Sequence, residues 1–562
     1  MKKLLSVVVL ITIAGFTSWQ NRVELLVWAA PKLLKITQPV AANRPITWPK
    51  GPASATVASA ERPPNIVLIV TDDMGFNDIS LYNGGAGDGT LQTPSIDALA
   101  QQGVTFTNGY AANAVCAPSR ASIMTGRYST RFGFEYTPFF KTGVTIFDWM
   151  NQTDPAKIPL FIDTENAKTM KPMGELGLPS SEITIAELLQ QQGYYTAHIG
   201  KWHLGSVGDM VAINQGFNDS LELKGSLYFP EGHPDAVNAI VSNDRIDRMV
   251  WATGRYAASF NATGAEGEQF APKGYVTDYY TDQAVKVIEN NRNRPFFLYL
   301  AHWGIHNPLQ ASREDYDALA HIKDHRQRVY SAMIRAVDRS VRKVSQALED
   351  NGLSDNTLII LTSDNGGAGY IGLPNINKPY RGWKLNHFEG GTHVPFMAKW
   401  PAQISPNSSM AAPIHHNDIF STIAAASGVQ VPQDRTIDGI DLLPYIRGEM
   451  TDAPHKTLFW RVGHQQTVLH EGWKLIRADQ SHLPQPAAQA KWLFNLAVDP
   501  TEQNNLVADN GSKVAQLEAL LAAHNAEQAA PRWPSVINAP QLIDKTSNEP
   551  FEEGDEFIYW PN

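Results

Sequence analysis

The stretch NIVLIVTDD, residues 65–73, decides the fold class of this chain. Its apolar run is typical of a strand that is buried on both faces of a parallel sheet, and it ends in two aspartates. The same pattern returns in PFFLYLA, residues 295–301, and in NTLIILTSDN, residues 356–365. Segments with helical periodicity separate these strands. The alternation predicts an α/β fold with a large, mostly parallel sheet flanked by helices.

The helical segments differ in how clearly the sequence marks them. Residues 325–350 carry one apolar stripe with spacings of three and four, which predicts a long amphipathic helix that ends before Gly352. Shorter helices are expected at residues 94–102, from about Pro118 to Thr125, and at residues 181–192. Residues 225–272 show no sustained periodicity, and we interpret them as an insertion over the edge of the sheet.

The pattern changes after residue 450. KTLFWRV, QTVLHEGWKLIRA and KWLFNL have the length and composition of short antiparallel strands, and a helix is expected near residues 513–525. We therefore predict a catalytic domain over residues 62–450. A smaller C-terminal α+β subdomain with an antiparallel sheet is predicted over residues 451–562.

The first 61 residues have the composition of a targeting segment followed by a linker. Lys2 and Lys3 precede an uncharged apolar run, residues 4–16, which suits a signal peptide and is too short for a comfortable membrane span. A second apolar patch, residues 23–34, is interrupted by Glu24, Pro31 and Lys32. These features predict an exported protein, periplasmic or extracellular, with an uncleaved N-terminal membrane anchor as the alternative.

Composition bears on the kinds of partner that the protein takes. The 562-residue chain has a formal net charge of -10, so it lacks the excess of Lys and Arg with which proteins neutralise nucleic-acid phosphates. It contains one cysteine, Cys116, which cannot close a disulfide within the chain. A lone cysteine is usually a small buried apolar residue, and the alternative is a nucleophile or its precursor.

Two acidic pairs follow strands of the predicted sheet, Asp72-Asp73 and Asp364-Asn365. Ligands of open α/β sheets bind beyond the carboxyl ends of the strands, so these four side chains are expected at one edge. Three carboxylates and an amide oxygen suit Ca²⁺, with Mg²⁺ as the alternative, better than they suit softer metals. The other interpretation is that such pairs cap turns and the helices that follow them.

Six further residues are candidates for the chemistry: Cys116, Arg120, Lys201, His203, His306 and Lys384. Cys116 and Arg120 are four residues apart and therefore share a face of the predicted helix. Lys201 and His203 share a face if their segment is extended. Each of these side chains taken alone is better explained by a structural or solvent-exposed role.

Taken together, these residues resemble the type I sulfatases, a family of the alkaline-phosphatase-like superfamily. CAPSRASIMTGR, residues 116–127, is similar to the family signature, in which Cys-x-Pro-Ser-Arg precedes Thr-Gly-Arg. The chain also has, in the family's order, Asp-Asp after the first strand, Lys-x-His, His-x-Pro, Ser-Asp-Asn-Gly and a lysine five residues before Glu-Gly-Gly. WLFNLAVDPTEQNNL, residues 492–506, resembles the family's C-terminal segment. The likeness covers about residues 62–510.

The sequence departs from the family pattern at two positions. Met124 stands where Leu is usual, and His393 stands where an arginine commonly follows Glu-Gly-Gly. The second departure bears on how Glu389 is anchored or on how substrate is contacted. No catalytic position of the family pattern is lost.

The resemblance implies a modified residue and a metal ion. In the family, a formylglycine-generating enzyme oxidises the signature cysteine to an aldehyde that hydrates, so Cys116 is the expected modified residue. One Ca²⁺ ion is the expected cofactor beside this formylglycine. Its expected ligands are Asp72, Asp73, Asp364, Asn365 and the modified Cys116.

The resemblance also implies a role for each of the six candidates, with Cys116 as the source of the nucleophile. Arg120 and Lys201 are expected to hold the hydrated aldehyde and the sulfate oxygens, and His203 to accept a proton from the nucleophile. His306 and Lys384 are expected to contact the sulfate and to stabilise or protonate the leaving group. The implied reaction is hydrolysis of a sulfate monoester, either an aryl sulfate or a sulfated carbohydrate.

Two other functions remain open on the residues alone. A phosphomonoester or phosphodiester hydrolase of the same superfamily would share the fold, although many such enzymes use Thr or Ser beside two zinc ions. A secreted sulfo-glycan-binding protein without activity would share the pocket. The complete set of catalytic residue types and the full modification motif at Cys116 favour the sulfatase.

Overall fold

A large sheet forms the centre of the protein. The computed structural model describes residues 21–58, 61–83, 85–87, 89–152, 158–241, 244–262 and 267–562. In this part of the chain ten strands join in one sheet, whose central five are all parallel, and the predicted fold class is confirmed. In order across the sheet, the strands are Ser408–Met410, Val104–Phe106, Phe396–Lys399, Thr357–Ser363, Asn65–Thr71, Phe296–Ala301, Tyr195–Gly200, Asp219–Leu223, Ala258–Ala262 and Gln269–Phe270.

Helices cover both faces of the sheet. Alternate residues of the strand Asn65–Thr71 enter two separate apolar cores, with Val67 and Ile69 on one face and Ile66 and Leu68 on the other. All seven residues of this strand are buried, as expected for a strand between two helical layers. The α-helices of the described residues are Arg22–Thr37, Ser80–Asn83, Pro94–Gln101, Cys116–Thr125, Lys141–Gln152, Thr164–Thr169, Ile185–Gln191, Arg245–Thr253, Val276–Asn291, Arg313–Ala318, His325–Asp350, Glu389–Thr392, Asn417–Ser427, Leu443–Ile446 and Gly511–Ala526.

Local capping explains one difference between the predicted and observed helices. The helix predicted from residue 181 begins at Ile185, because Thr184 and Glu187 form a capping box. The Thr184 hydroxyl accepts a hydrogen bond from the Glu187 N–H at 3.1 Å, and the Glu187 carboxylate accepts one from the Thr184 N–H at 2.7 Å. These two bonds satisfy N–H groups that the first turn leaves free.

The segment 225–272 is more regular than its sequence indicates. It contains the helix Arg245–Thr253 and the strand Ala236–Ala239, which pairs antiparallel with Leu309–Ser312. Its strands Ala258–Ala262 and Gln269–Phe270 extend the large sheet at one edge. The segment therefore adds strands to the sheet as well as lying at its edge.

Two smaller sheets contain strands from the C-terminal part of the chain. Four antiparallel strands, Thr457–Val462, Gln465–His470, Trp473–Ala478 and Lys491–Asn495, confirm the predicted antiparallel sheet, and the helix Gly511–Ala526 packs on it. The second sheet joins Phe161–Ile162 to the late strands Ile537–Leu542 and Phe557–Pro561. The last strands of the chain therefore pair with a segment of the catalytic part.

The N-terminal region differs from its sequence-based interpretation. The patch at residues 23–34 forms one helix, Arg22–Thr37, that continues through Pro31. The segment interpreted as a linker packs on the body of the protein, where Trp48 is buried and donates a hydrogen bond to Gln283 at 3.0 Å. The proposed signal run, residues 4–16, lies outside the described residues. None of the described helices is both long and apolar enough to cross a bilayer.

Candidate active site

The register of the parallel strands brings the two acidic pairs together. Pairing aligns Thr71 with Ser363, Val70 with Ala301, and Ala301 with Gly200. Asp72, Asp364 and Lys201 each come directly after one of these strands, so they leave the sheet at the same edge. The backbone N–H of Asp73 also donates to the Asp364 carboxylate at 3.3 Å, which confirms that the two pairs converge.

Cys116 is the first residue of a buried helix that points at these carboxylates. The helix Cys116–Thr125 ends at Gly126, whose φ of 68° is the left-handed conformation that glycine adopts without strain. The Cys116 Sγ lies 3.5 Å from Asp72 Oδ1 and 3.9 Å from Asp73 Oδ1. Arg120, one turn later, donates from Nε to Asp364 Oδ2 at 2.8 Å and lies 3.2 Å from Asp72 Oδ2. The shared face predicted for Cys116 and Arg120 is thus observed.

Two lysines complete the charged centre. Lys201 Nζ lies 2.7 Å from Asp72 Oδ2, and Lys384 Nζ lies 2.6 Å from Asp73 Oδ1. With Arg120 they balance the three carboxylates, one positive charge for each negative charge. All six side chains are nearly or wholly buried, so these interactions act in a medium that screens charge weakly.

The two histidines lie on the more open side of the centre. His306 Nε2 is 3.7 Å from Asp73 Oδ2, and its Nδ1 is 2.6 Å from the carbonyl oxygen of Asn307, which assigns the neutral ring's proton to Nδ1. His203 has a φ of 63°, so its segment is not extended as the sequence-based interpretation assumed. The His203 Nδ1 is buried and has no hydrogen-bond partner among the described residues.

Burial and the dense charge shift the pKa values in the centre. Burial alone would raise the pKa of Asp72, but Lys201, His306 and Arg120 outweigh it and hold that pKa below its ordinary value. Burial lowers the pKa of His306 to about 4 in spite of Asp73, so the imidazole is neutral at neutral pH. The pKa of His203 falls well below its ordinary value because of burial and the nearby Lys201.

The Cys116 thiol is unfavourably placed for ionisation. Burial, reinforced by the negative charge of Asp364, raises the pKa of the thiol well above its ordinary value. Because the thiolate is the nucleophilic form of cysteine, an unmodified Cys116 is a poor nucleophile at neutral pH.

The donor set at the sheet edge fits a hard divalent cation. One ligand atom from each of Asp72, Asp73, Cys116 and His306 lies within 4.8 Å of the others. Beside them, the Asn365 Nδ2 donates to Asp73 Oδ1 at 2.8 Å, while the Asn365 Oδ1 is buried and accepts no hydrogen bond from any described residue. A buried amide oxygen without a partner is costly unless something fills that role, and a cation would do so.

A second buried cluster of charges lies nearby, and we call it the Lys474 network. It comprises Glu389, Lys474, Glu502, His393 and Tyr110. The Lys474 Nζ lies 2.7 Å from Glu389 Oε1 and 2.9 Å from Glu502 Oε1. Glu389 Oε2 is bonded by His393 at 2.9 Å and by Tyr110 at 3.0 Å. His393, the departure from the family pattern, therefore anchors Glu389.

Sequence analysis missed several residues of both clusters. Tyr370 donates to Asp73 Oδ2 at 3.2 Å, yet it lies in a short 3₁₀ turn, Gly369–Ile371, with no motif around it. Lys474 and Glu502 lie in segments whose charged residues are mostly exposed, so their sequence neighbours do not distinguish them. Only the fold brings these three side chains to their partners.

Comparison with known proteins identifies the family. The sulfatase family model matches residues 64–429, and a model described as N-sulphoglucosamine sulphohydrolase, C-terminal, matches residues 383–528. The N-acetylgalactosamine-6-sulfatase of Mus musculus is 34% identical over 409 residues, covering 71% of this chain and 69% of the relative. The steryl-sulfatase of Mus musculus is 31% identical over 467 residues, covering 72% and 68%.

A solved structure agrees with this assignment. Ps i-CgsB in complex with k-i-k-neocarrahexaose matches with a TM-score of 0.66 and 27% identity, covering 84% of this chain and 95% of that one. A parallel sheet whose carboxyl edge gathers carboxylates, bases and a signature cysteine defines a class of ester hydrolases. Within that class, this chain belongs to the sulfatase family. It is a sulfatase enzyme, and its relatives include an N-acetylgalactosamine-6-sulfatase.

Proposed function

We propose that this enzyme hydrolyses sulfate monoesters of carbohydrates, with a formylglycine made from Cys116 and one bound Ca²⁺ ion. The observation that carries the proposal is the position of Cys116 Sγ, 3.5 and 3.9 Å from two carboxylates of an oxygen-rich site and within a ring of three bases. The carbohydrate preference rests on the relatives named above. Aryl sulfates remain the alternative substrate, because arylsulfatase D of Homo sapiens is also similar to the chain, with 28% identity over 547 residues.

Modification of Cys116 follows from the chemistry of its surroundings. The raised thiol pKa and the neighbouring carboxylates suppress a thiolate, whereas a hydrated aldehyde offers oxygen atoms to the same site. When present, the formylglycine supplies a hydroxyl nucleophile and a second hydroxyl that allows sulfate to be released. CAPSR, residues 116–120, is the segment that we propose a formylglycine-generating enzyme reads.

The residues that would hold Ca²⁺ are the oxygen donors at the sheet edge. They are Asp72, Asp73, Asp364 and Asn365, together with the oxidised side chain at position 116. When bound, the ion supplies Lewis-acid activation of a hydroxyl and of the sulfate. Since three bases already balance three carboxylates, a divalent cation leaves two positive charges in excess, which suits a sulfate ester.

The bases divide between holding sulfate and moving protons. Arg120, fixed by Asp72 and Asp364, and Lys201, fixed by Asp72, present positive charge to the sulfate oxygens. His203 is neutral, and its unpartnered Nδ1 is the atom that accepts a proton from the nucleophile.

The remaining two bases serve the leaving group. Burial would lower the pKa of Lys384, but Asp73 raises it well above its ordinary value, so Lys384 carries the proton that the leaving oxygen needs. His306 Nε2 lies 3.7 Å from Asp73 Oδ2, and we propose that it also contacts the bound substrate. Both residues are therefore proposed to act on the bridging oxygen.

A screen of purified enzyme tests the substrate and the modification together. Peptide mass spectrometry of residues 115–127 should show sulfur replaced by oxygen at Cys116, and activity across batches should scale with the modified fraction. Sulfated oligosaccharides should be turned over, with aryl sulfates and phosphate esters as comparison substrates. Full activity from protein with a free thiol would refute the mechanism, and preference for phosphate esters would move the enzyme to the related phosphohydrolases.

The leaving-group role has a separate test. Lys384→Met should reduce turnover of sugar sulfates far more than turnover of nitrophenyl sulfate, because nitrophenolate leaves without a proton. His203→Ala should reduce both substrates alike, since its proton comes from the nucleophile. Equal losses for the two substrates in Lys384→Met would contradict the assignment.

The proposal extends to the location and partners of the enzyme. The sequence of residues 1–20 supports export to the periplasm or the extracellular space, where sulfated polysaccharides occur. A sulfate ester and the modification enzyme are the partners that we propose, and the acidic net charge argues against nucleic acid. Mass spectrometry of the intact mature protein would locate its N-terminus.

A further inference from the structure

The N-terminal helix Arg22–Thr37 has an exposed apolar face. Of its side chains, Leu25 is 46% exposed, Trp28 65%, Leu33 61% and Ile36 78%. Four of the eleven large apolar side chains that are exposed among the described residues lie on this one helix. Single exposed apolar residues are ordinary on a protein surface, whereas a cluster of them marks an interaction site.

The exposed residues form a stripe because of their spacing. Leu25, Trp28, Lys32 and Ile36 follow one another at intervals of three, four and four, which places them along one side of a helix. The Lys32 ammonium lies 3.1 Å from the centre of the Trp28 ring. The charge therefore contacts one face of the ring, while Trp28 stays 65% exposed. We call these four residues the outer stripe.

The opposite side of the helix already holds it to the protein. Val23 is buried against Ile146 and Met150 of the helix Lys141–Gln152, and Leu26 and Val27 pack on the same cluster. The Arg248 guanidinium lies 2.6 Å from the Glu24 carboxylate, which adds a polar contact to the helix Arg245–Thr253. Packing against the protein therefore accounts for the apolar residues on the inner side of the helix, but it does not account for those of the outer stripe.

We propose that the outer stripe lies on the surface of a bilayer that contains anionic lipids. The stripe combines an aromatic ring, aliphatic side chains and a lysine, which is the composition of helices that rest in the membrane interface. Twenty residues precede the helix-bearing segment, and their sequence holds a second apolar run, residues 4–16, after Lys2 and Lys3. Two apolar segments thus lie at the same end of the chain, each accompanied by lysines.

Charge complementarity selects the kind of lipid. Lys32 and Lys35 are exposed on this helix; Lys35 is paired with Glu231 at 2.8 Å and the one acidic residue of the helix, Glu24, is paired with Arg248, so the positive charge available to headgroups is that of Lys32. The protein as a whole is acidic, so a local basic surface orients the helix toward anionic headgroups. This placement keeps the catalytic part in the aqueous phase while the N-terminal helix contacts the membrane.

Vesicle flotation of the full-length protein tests the proposal. The enzyme is mixed with vesicles of phosphatidylcholine or of phosphatidylcholine with 30% phosphatidylglycerol. A triple variant, Leu25→Ser, Trp28→Ser and Ile36→Ser, should partition onto the mixed vesicles roughly tenfold more weakly or worse. Lys32→Gln should weaken binding to the anionic vesicles by about fivefold and leave binding to neutral vesicles unchanged.

A matched control removes the same number of exposed apolar side chains elsewhere. The changes Val57→Ser, Met450→Ser and Val498→Ser, at positions that are 44%, 43% and 77% exposed, should leave partitioning unchanged. Both triple variants should retain turnover of a soluble sulfate ester and the parent melting temperature, which shows that each is folded.

Three results would overturn the proposal. The first is unchanged vesicle binding in the stripe variant, since residues 4–16 would then act alone. The second is a shift from oligomer to monomer in the stripe variant without any vesicle binding by the parent, which would assign the stripe to a second copy of the chain. The third is a mature protein whose N-terminus, measured by mass spectrometry, lies beyond Thr37.

Discussion

Two buried charge clusters in this enzyme use the same residue types to different ends. The catalytic centre gathers Asp72, Asp73 and Asp364 around Cys116, and the Lys474 network gathers Glu389 and Glu502 around a lysine. In the centre the buried amide oxygen of Asn365 accepts no hydrogen bond within the described part of the chain, and the carboxylates crowd one another. In the network two carboxylates share one ammonium, and further donors bond Glu389.

The difference distinguishes a ligand-binding site from an ion-pair network that stabilises the fold. A buried polar group without a protein partner costs stability and persists where a ligand or a reaction uses it, whereas both carboxylates of the network already contact the Lys474 ammonium. Substitutions in the two clusters should therefore fail in different ways. Loss of activity with intact stability is expected from the centre, and loss of stability is expected from the network.

The largest effect is expected from removing the proposed nucleophile of the centre. Cys116→Ala should reduce turnover by at least about 10³-fold, because no other described side chain at the centre offers a replacement oxygen nucleophile with a second hydroxyl. The melting temperature should stay within about 2 °C of the parent, since one small buried residue replaces another. Steady-state kinetics and thermal denaturation measure the two quantities. Cys116→Ser should turn over no more than once, and multiple turnovers by either variant would contradict the prediction.

A change at the proposed metal ligands should be nearly as damaging to activity. Asp364→Asn keeps the side-chain shape and removes one carboxylate charge, so turnover should fall by about 100-fold or more and the calcium concentration needed for activity should rise. Stability without added metal should be unchanged or slightly higher, because a repulsive charge is gone and Arg120 keeps its contact with Asp72. Titration of activity with Ca²⁺ and thermal denaturation with a chelator check both points; unchanged calcium dependence would remove Asp364 from the site.

A substitution in the Lys474 network should mainly reduce stability, whereas the two substitutions in the centre should mainly reduce activity. Lys474→Met leaves two buried carboxylates without their ammonium, which should lower the free energy of unfolding by about 3–5 kcal/mol. Lys491 in the neighbouring strand is the matched control, because its ion pair with Glu518 is solvent-exposed. Lys491→Met should cost less than about 1 kcal/mol. Denaturant unfolding measures both variants, and equal losses would show that the buried network is not a special source of stability.

The smallest expected effect is a change of stability with pH that comes from Glu502. Burial, although opposed by Lys474, raises the pKa of Glu502 to about 7 from its ordinary value of about 4.5. The folded state then binds more protons than the unfolded state between these two values, so this residue's contribution to stability falls as pH rises from about 4.5 to about 7 and is constant above. Glu502→Gln mimics the protonated acid. The melting temperature of the parent relative to that of the variant should therefore fall across this window, and a difference independent of pH would contradict the raised pKa.

Much of the catalytic centre could be predicted from sequence because it is built from strand ends. An apolar run that stops at Asp72-Asp73, and another that stops at Asp364-Asn365, places side chains at one edge once the strands are parallel. Cys116 and Arg120 follow from helical spacing within a single motif. The fold class follows from the same runs.

The remaining features of the fold and of the buried clusters depend on long-range contacts, which leave no recognisable pattern in the local sequence. The pairing of Phe161–Ile162 with Ile537–Asn538 joins segments more than 370 residues apart. The strand Ala258–Ala262 finds its place through the neighbour it pairs with, since its own residues alternate weakly. Lys474 has the sequence surroundings of an exposed lysine, and burial of its charge is decided by Glu389 and Glu502, which come from two other parts of the chain.

The Lys474 network also bears on how chimeric enzymes can be assembled. The two family models that match this chain overlap at residues 383–429, and Glu389 lies within that overlap. A hybrid joined near residue 450 would take Glu389 from one parent but Lys474 and Glu502 from the other. Such recombinants should express in folded form only when the second parent supplies the same triad, so the two parts of the gene have to be inherited as a matched set.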